Sequence, residues 1–271
     1  MISVLAAESE ELVRIAVTVA LEAAELVRDA RSHAVTQVDT KSSETDVVTA
    51  ADRASEQLVR DRLARLRPGE PVLGEEEGGA ESLDGLVWVV DPIDGTVNYL
   101  YGLPWYAVSI AAQLDGVSVA GAVVEPASGR VWTASRGGGA FLDGSPLRAA
   151  ATTRLELSLL GTGFSYDHAR RLRQADAISR MLGKVRDIRR CGAASLDLCA
   201  VAAGWEDAYL EHGLHRWDWA AGGLIAEEAG AVFRAPGRDD DGLGPDATFA
   251  AAPGVADQLR AALVESGFGK V

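Results

Sequence analysis

Apolar positions between residues 9 and 31 recur at Leu12, Ile15, Val19, Ala23, Leu26 and Val27, which predicts an amphipathic helix with Ser9 as its cap. A second helical run extends from about Thr49 through Leu58, Leu63 and Leu66, and Pro68-Gly69 closes it. The period then changes. Val72-Leu73, Leu86–Val90, Val108–Leu114, Val117–Val124, Val131–Ala134 and Ala140–Leu142 are short apolar or β-branched runs. Asp-Gly, Pro and Gly separate them, as expected of a mostly antiparallel sheet. From about residue 155 strands and helices alternate. Strands are expected at 157–160, 185–189, 207–210, 231–234 and 247–252, and helices at 167–183, 192–203, 217–229 and 254–266. That rhythm predicts an α/β half. With no internal repeat and no low-complexity linker, the chain reads as two layered halves, 1–150 and 151–271.

Composition narrows what such a fold can do. The chain has 271 residues, 48% of them hydrophobic, with 26 Lys+Arg against 40 Asp+Glu and a net charge of −14. There is ample apolar surface for a core. The acid excess argues against a protein that covers nucleic-acid phosphates or docks on anionic lipid. The longest apolar stretches, near 104–126 and 191–205, are broken by Asp115-Gly116 and Asp197, so no membrane span is expected. The first residues carry no basic cluster and reach Glu8, Glu10 and Glu11 at once, unlike a signal peptide. Cys191 and Cys199, if both sit on the 192–203 helix, lie roughly 12 Å apart along its axis, too far for a disulfide. Two unbridged, apolar-like cysteines fit a cytoplasmic protein.

The most informative segment is Trp88-Val-Val-Asp-Pro-Ile-Asp-Gly-Thr96. An apolar strand runs into Asp91, a proline, then Asp94-Gly95-Thr96 and a short helix. Two carboxylates at a strand end, joined by a rigid Pro92 and the backbone carbonyl of Ile93, offer the oxygen-only ligands that hard cations such as Mg²⁺ prefer. Gly95 and Thr96 follow at a helix start, where free N–H groups attract an anion. The bland alternative is a turn, with Asp94 or Thr96 capping a helix. Other acids sit at similar places: Glu75, Glu76 and Glu77 after a short strand, Asp218 between Trp217 and Trp219, and Asp46 and Asp52 after Lys41, one of three lysines in the chain. A solvated loop or a first-turn acid explains each singly, but explains all of them together poorly.

Two long signatures frame these acids. They are Trp88-Val-Val-Asp91-Pro-Ile-Asp94-Gly-Thr96-Val-Asn98 and Trp217-Asp218-Trp-Ala-Ala-Gly-Gly-Leu-Ile-Ala-Glu-Glu-Ala-Gly230. With Lys41–Asp52, Gly74-Glu75-Glu76 and Gly192–Leu198, they resemble the inositol monophosphatases, Mg²⁺-dependent, lithium-sensitive phosphatases, over about residues 8–266. The resemblance implies an αβαβα sandwich of the sugar-phosphatase type and a homodimer. It implies Glu75, Asp91, the Ile93 carbonyl, Asp94 and Asp218 as metal ligands, with Glu75 also counted in the catalytic set. Thr96 and Asp52 would hold and deprotonate the attacking water. The N–H groups of Gly95 and Thr96 would bind phosphate, and Asp94, Ala194, Glu211 and Asp218 would meet the rest of the substrate. The implied reaction is hydrolysis of a small phosphorylated sugar alcohol, most simply myo-inositol 1-phosphate. Histidinol phosphate, fructose 1,6-bisphosphate or a nucleotide 3′-phosphate are the alternatives. A non-catalytic role with the transcription machinery, found among some bacterial relatives, is a second alternative. Glu44, Ala194 and Trp219 depart from the common pattern of proline, serine or threonine, and a smaller residue, and bear on which alcohol is accepted.

Remaining features carry less. His212 and His215 flank Gly213 with no cysteine nearby, so surface or substrate-facing histidines are expected rather than zinc ligands. Arg238-Asp-Asp-Asp-Gly242 lacks the first and twelfth acids of a calcium loop. Arg170-Arg171 and Arg189-Arg190 are expected on solvated faces, or with one arginine reaching a neighbouring subunit's site.

Overall fold

The computed structural model describes residues 2–32, 38–40, 47–80, 82–237 and 241–271. Lys41, Glu44, Asp46 and residues 238–240 of the acidic loop lie outside them. The helices are α1 (Ile2–Ser32), α2 (Ala50–Leu66), α3 (Thr96–Tyr101), α4 (His168–Met181), α5 (Ala194–Ala202), α6 (Arg216–Glu228) and α7 (Ala256–Ser266). Strands β1 (Val38–Thr40) and β2 (Val47–Thr49) form a small antiparallel pair. Strands β3 (Val72–Gly74), β4 (Gly78–Gly79), β5 (Leu86–Asp94), β6 (Ala107–Leu114), β7 (Val117–Val124), β8 (Val131–Ser135), β9 (Gly139–Leu142) and β10 (Ser145–Pro146) build an eight-stranded sheet. Its order is β10-β9-β8-β7-β6-β5-β3-β4, antiparallel except where β3 pairs with β5. Strands β11 (Leu159–Thr162), β12 (Asp187–Arg189), β13 (Ala208–His212), β14 (Val232–Arg234) and β15 (Ala247–Ala251) form a five-stranded mixed sheet, order β12-β11-β13-β15-β14.

The layers follow from which faces are apolar. Val19 and Ala23 of α1 and Val59 of α2 pack on Trp88, Val90, Ile110 and Ala122 of the first sheet. The opposite face of that sheet, with Val89, Ala111 and Val123, meets Leu196, Leu224 and Ile225 of α5 and α6. The same helices also pack on Tyr209 and Ala250 of the second sheet. Helices α4 and α7 cover its far side through Ala177, Met181, Leu259 and Leu263. The result is αβαβα, the expected sandwich. Strand β5 is buried on both faces, which explains its unbroken hydrophobic run. Gly222 lets α6 press against α5: a methyl there would stand 2.8 Å from the Ser195 carbonyl oxygen.

Four local expectations are corrected. Helix α1 begins at Ile2, and Ser9 is a buried residue within it rather than a cap; residues 2–8 hold no Pro or Gly to delay the start. Leu155–Leu157 form a 3₁₀ turn, and the strand starts only at Leu159. Cys191 precedes α5 instead of lying on it; both cysteines are nonetheless free, as anticipated. The strand expected to stop at Val90 continues through Asp94.

Candidate active site

Strand β5 solves a geometric problem. Side chains three apart on a regular strand point to opposite faces, yet Asp91 and Asp94 both line one cavity. The register explains it: Asp91 pairs with Ser109 and Asp94 with Ala107, three residues on β5 against two on β6. The extra residue is a β-bulge that resets the alternation. Pro92 has no N–H to lose there, and its carbonyl accepts from Ser55 Oγ on α2 at 3.1 Å.

Helix starts converge on the same place. Gly95, with φ +88°, turns the chain from β5 into α3; a methyl on it would meet the Trp105 carbonyl at 3.0 Å and the Gly192 carbonyl at 3.2 Å. Asp94 caps α5, its Oδ1 accepting from Ala194 N at 3.1 Å and its Oδ2 from Ser195 N at 2.7 Å and Ser195 Oγ at 2.5 Å. Asp218 sits in the first turn of α6 and accepts from His215 N at 2.6 Å. Asp52 does the same on α2, taking Thr49 N at 2.8 Å in a capping box. Its other oxygen reaches across to Thr96 Oγ1 at 3.1 Å. Each of these three acids therefore has a local structural task. Each also meets the positive end of a helix, which favours its charged form.

Burial opposes that charge. Asp91, Asp94 and Asp52 are buried. Burial, then Glu75, Asp94 and Asp218, push Asp91 well above the usual carboxylate range. Burial, then Glu75 and Asp94, do the same to Asp218. Asp94 is pushed up to about 6 by burial, against the hydrogen bonds from Ser195 and Ala194. Glu211 is raised to about 7 by burial, although Tyr209 Oη donates to its Oε2 at 2.5 Å and Arg190 lies close. Carboxylates crowded in this way are relieved by a positive charge placed among them. With the Ile93 carbonyl, Glu75, Asp91, Asp94 and Asp218 make an all-oxygen donor set in the cavity, which fits a hard divalent cation.

The cavity holds about 470 Å³. Of the ten residues singled out from sequence, Glu75, Asp91, Ile93, Asp94, Gly95, Thr96, Ala194, Glu211 and Asp218 line it. Asp52 stands behind Thr96 rather than on the wall. Both histidines of 212–215 line the cavity as well. His212 Nε2 is engaged with the Leu243 carbonyl at 2.8 Å and His215 stacks on Trp217, so neither is presented as part of a zinc site. Trp219, the departure beside Asp218, is buried against Phe233 and points away from substrate space.

Several wall and support residues escape sequence reasoning. Arg170 and Arg190, expected on solvated faces, line this chain's own cavity; Arg170 is held by Asp246 at 2.6 Å. Phe164 and Tyr166 precede α4 and form the rim. Glu56, buried on α2, accepts Glu76 N at 2.7 Å and Glu77 N at 3.0 Å and so fixes the loop that carries Glu75. The sequence holds a faint signal for it, an acid on α2 four residues before Arg60, whose guanidinium donates to Glu56 Oε1 at 2.7 Å.

Residues 8–267 match the sequence model of the inositol monophosphatase family. The chain belongs to that family. An inositol-1-monophosphatase of Mycobacterium leprae is 50% identical over 274 residues, 94% of each chain. A Nus factor SuhB of Pseudomonas aeruginosa is 42% identical, covering 82% of this chain and 84% of its own. The solved structure of Mycobacterium tuberculosis SuhB superposes with a TM-score of 0.83 at 45% identity, over 97% of this chain and 99% of that one. The chain is thus a phosphatase of the inositol monophosphatase fold. Among the described residues no helix is long and apolar enough to cross a membrane.

Proposed function

We propose that this phosphatase hydrolyses myo-inositol 1-phosphate to inositol and phosphate, using Mg²⁺. The observation that carries the reading is the placement of four acids, the Ile93 carbonyl and the Thr96–Asp52 pair around one cavity beside the start of α3. Glu75, Asp91, Asp94, Asp218 and the Ile93 carbonyl would hold Mg²⁺, which when bound offsets the anionic charge of the ester and of the departing oxygen and acidifies water.

The remaining work falls to the protein. Thr96 Oγ1 stands 3.1 Å from Asp52 Oδ1, so as it takes a proton from an attacking water its own proton passes to the Asp52 carboxylate. Asp52 is itself held in place by Thr49, whose N–H donates to its other oxygen at 2.8 Å. The N–H groups of Gly95 and Thr96, at the start of α3, receive phosphate oxygens. Glu211 and Ala194 face the alcohol. Glu211, poised near 7 and hydrogen-bonded by Tyr209, can accept from a ring hydroxyl. Ala194 brings no hydroxyl of its own, which leaves room for a bulky polyol.

Steady-state phosphate release from myo-inositol 1-phosphate, histidinol phosphate, fructose 1,6-bisphosphate and a nucleotide 3′-phosphate tests the substrate. The expected order has inositol 1-phosphate first and inhibition by lithium; a tenfold preference for histidinol phosphate would overturn it. The Pseudomonas relative named a Nus factor favours a second reading, a role in the transcription machinery. If Asp94→Asn abolishes turnover but leaves the cellular phenotype of the intact gene, that second reading wins. The same account carries a cytoplasmic homodimer, checked by light scattering.

A further inference from the structure

The cavity acids are not the protein's only buried acids. Cys191 Sγ, a carboxylate oxygen of Asp197 and one of Glu206 all lie within 4.8 Å of one another. They come from three places: the turn before α5, the first turn of α5, and the loop between α5 and β13. Asp197 is 1% exposed and Glu206 5%, while Cys191 is half-buried. Internal partners satisfy them poorly. Trp105 Nε1 donates to Asp197 Oδ1 at 3.3 Å, and Cys191 Sγ stands 3.9 Å from Glu206 Oε1. The second oxygen of Glu206, Oε2, is buried with no hydrogen-bond partner at all. It sits in space left by Gly161, where a methyl would come within 2.1 Å of it. Buried carboxylate oxygens normally have a donor or a cation.

We propose that Cys191, Asp197 and Glu206 form a second cation site, for a borderline-soft divalent ion such as Zn²⁺, separate from the all-oxygen cavity. One thiolate and two carboxylates, with water in a fourth position, match the ligand types and number of a tetrahedral zinc centre. The sulfur discriminates against Mg²⁺, which prefers oxygen alone. Without a cation burial favours the protonated forms: burial, with Asp197 and Glu206 nearby, pushes Cys191 up to about 12, burial pushes Glu206 up to about 7, and burial, then Glu206, pushes Asp197 well above the usual carboxylate range. Binding exchanges those protons for the metal and releases them to solvent, with no change of oxidation state. The half-exposed Cys191 gives the ion its way in. The Cys191 carbonyl accepts from Asn98 Nδ2 at 2.9 Å, and Asn98 lies on α3. Gly192, the next residue, lines the catalytic cavity. An ion here would therefore stiffen the cavity wall without touching the proposed Mg²⁺ ligands.

Zinc could also enter the all-oxygen cavity, so activity alone cannot be the readout. The protein is held in excess Mg²⁺ and titrated with Co²⁺. The expected result is a thiolate-to-cobalt charge-transfer absorption in the near ultraviolet, which Zn²⁺ displaces at one equivalent. Only two cysteines exist and Cys199 is fully buried in the α5 core, so that absorption reports Cys191. Cys191→Ser should remove it, and Glu206→Gln should weaken Zn²⁺ binding by about 100-fold or more. Circular dichroism of both variants should match the parent. No charge-transfer absorption in the parent protein overturns the proposal, whether or not a variant folds. So does unchanged zinc affinity in a folded Cys191→Ser.

Discussion

The hydroxyl of Thr96 has one proton and two acceptors in reach, the Ile93 carbonyl at 3.0 Å and Asp52 Oδ1 at 3.1 Å. A cation on the Ile93 carbonyl would compete for that oxygen and leave Asp52 as the acceptor, which is the orientation a water-activating threonine needs. Thr96→Ala should therefore lower kcat by about 100-fold or more, the range of a lost general base, with KM little changed. Thr96→Ser should keep most of the rate. Steady-state kinetics on both variants checks this, and an alanine variant within a few-fold of the parent would remove Thr96 from the mechanism. Asp94 illustrates why a bland and a sharp reading of one residue need not compete. It caps α5 through Ala194 and Ser195 and still faces the cavity.

At the scale of elements, the bulge in β5 and the left-handed Gly95 aim the acids and the start of α3 at one point. Gly95→Ala places a methyl against two carbonyls and the Ala193 side chain at 3.0–3.2 Å while forcing a positive φ. It should cost on the order of 1–3 kcal/mol of stability, read from denaturant unfolding, and should depress activity more than its stability loss explains. Most elements were legible because their apolar runs match how they are buried, as the alternating burial of β8 and the nearly continuous burial of β6 show. The bulge was not: alternation puts Asp91 and Asp94 on opposite faces, and only the chemistry of Asp-Pro-Ile-Asp-Gly pointed to a shared space. Ser195, Glu56, Arg170 and Arg190 were missed for a related reason. Their roles depend on partners 20 to 101 residues away, such as Glu76 for Glu56 and Asp94 for Ser195, and no local pattern encodes such pairings. Cys191 was misplaced because Gly192, with φ +91°, delays the helix to Ala194.

For the whole molecule, the net charge of −14 separates into a solvated surface and a buried set held at unfavourable protonation. Asp91, Asp94 and Asp218 are all raised in the folded state. Between their ordinary values and the raised ones the native protein binds more protons than the unfolded chain. The stability these groups contribute is therefore full in acid and is lost as pH rises through the raised values, near 6 for Asp94. Mg²⁺ should reverse this at neutral pH. At about 100 times its Kd it should add about 2.7 kcal/mol, and the gain in Tm should shrink markedly at about pH 5, where protons hold the ligands. Thermal melts with and without Mg²⁺ at the two pH values check the sign, and a larger gain in acid would contradict it. The most direct test of the account is phosphate release from myo-inositol 1-phosphate by the same protein in Mg²⁺, after chelation, and after Mg²⁺ is restored. Turnover should vanish with the chelator and return with the metal; a full rate in excess chelator would contradict the assignment of the acidic cavity.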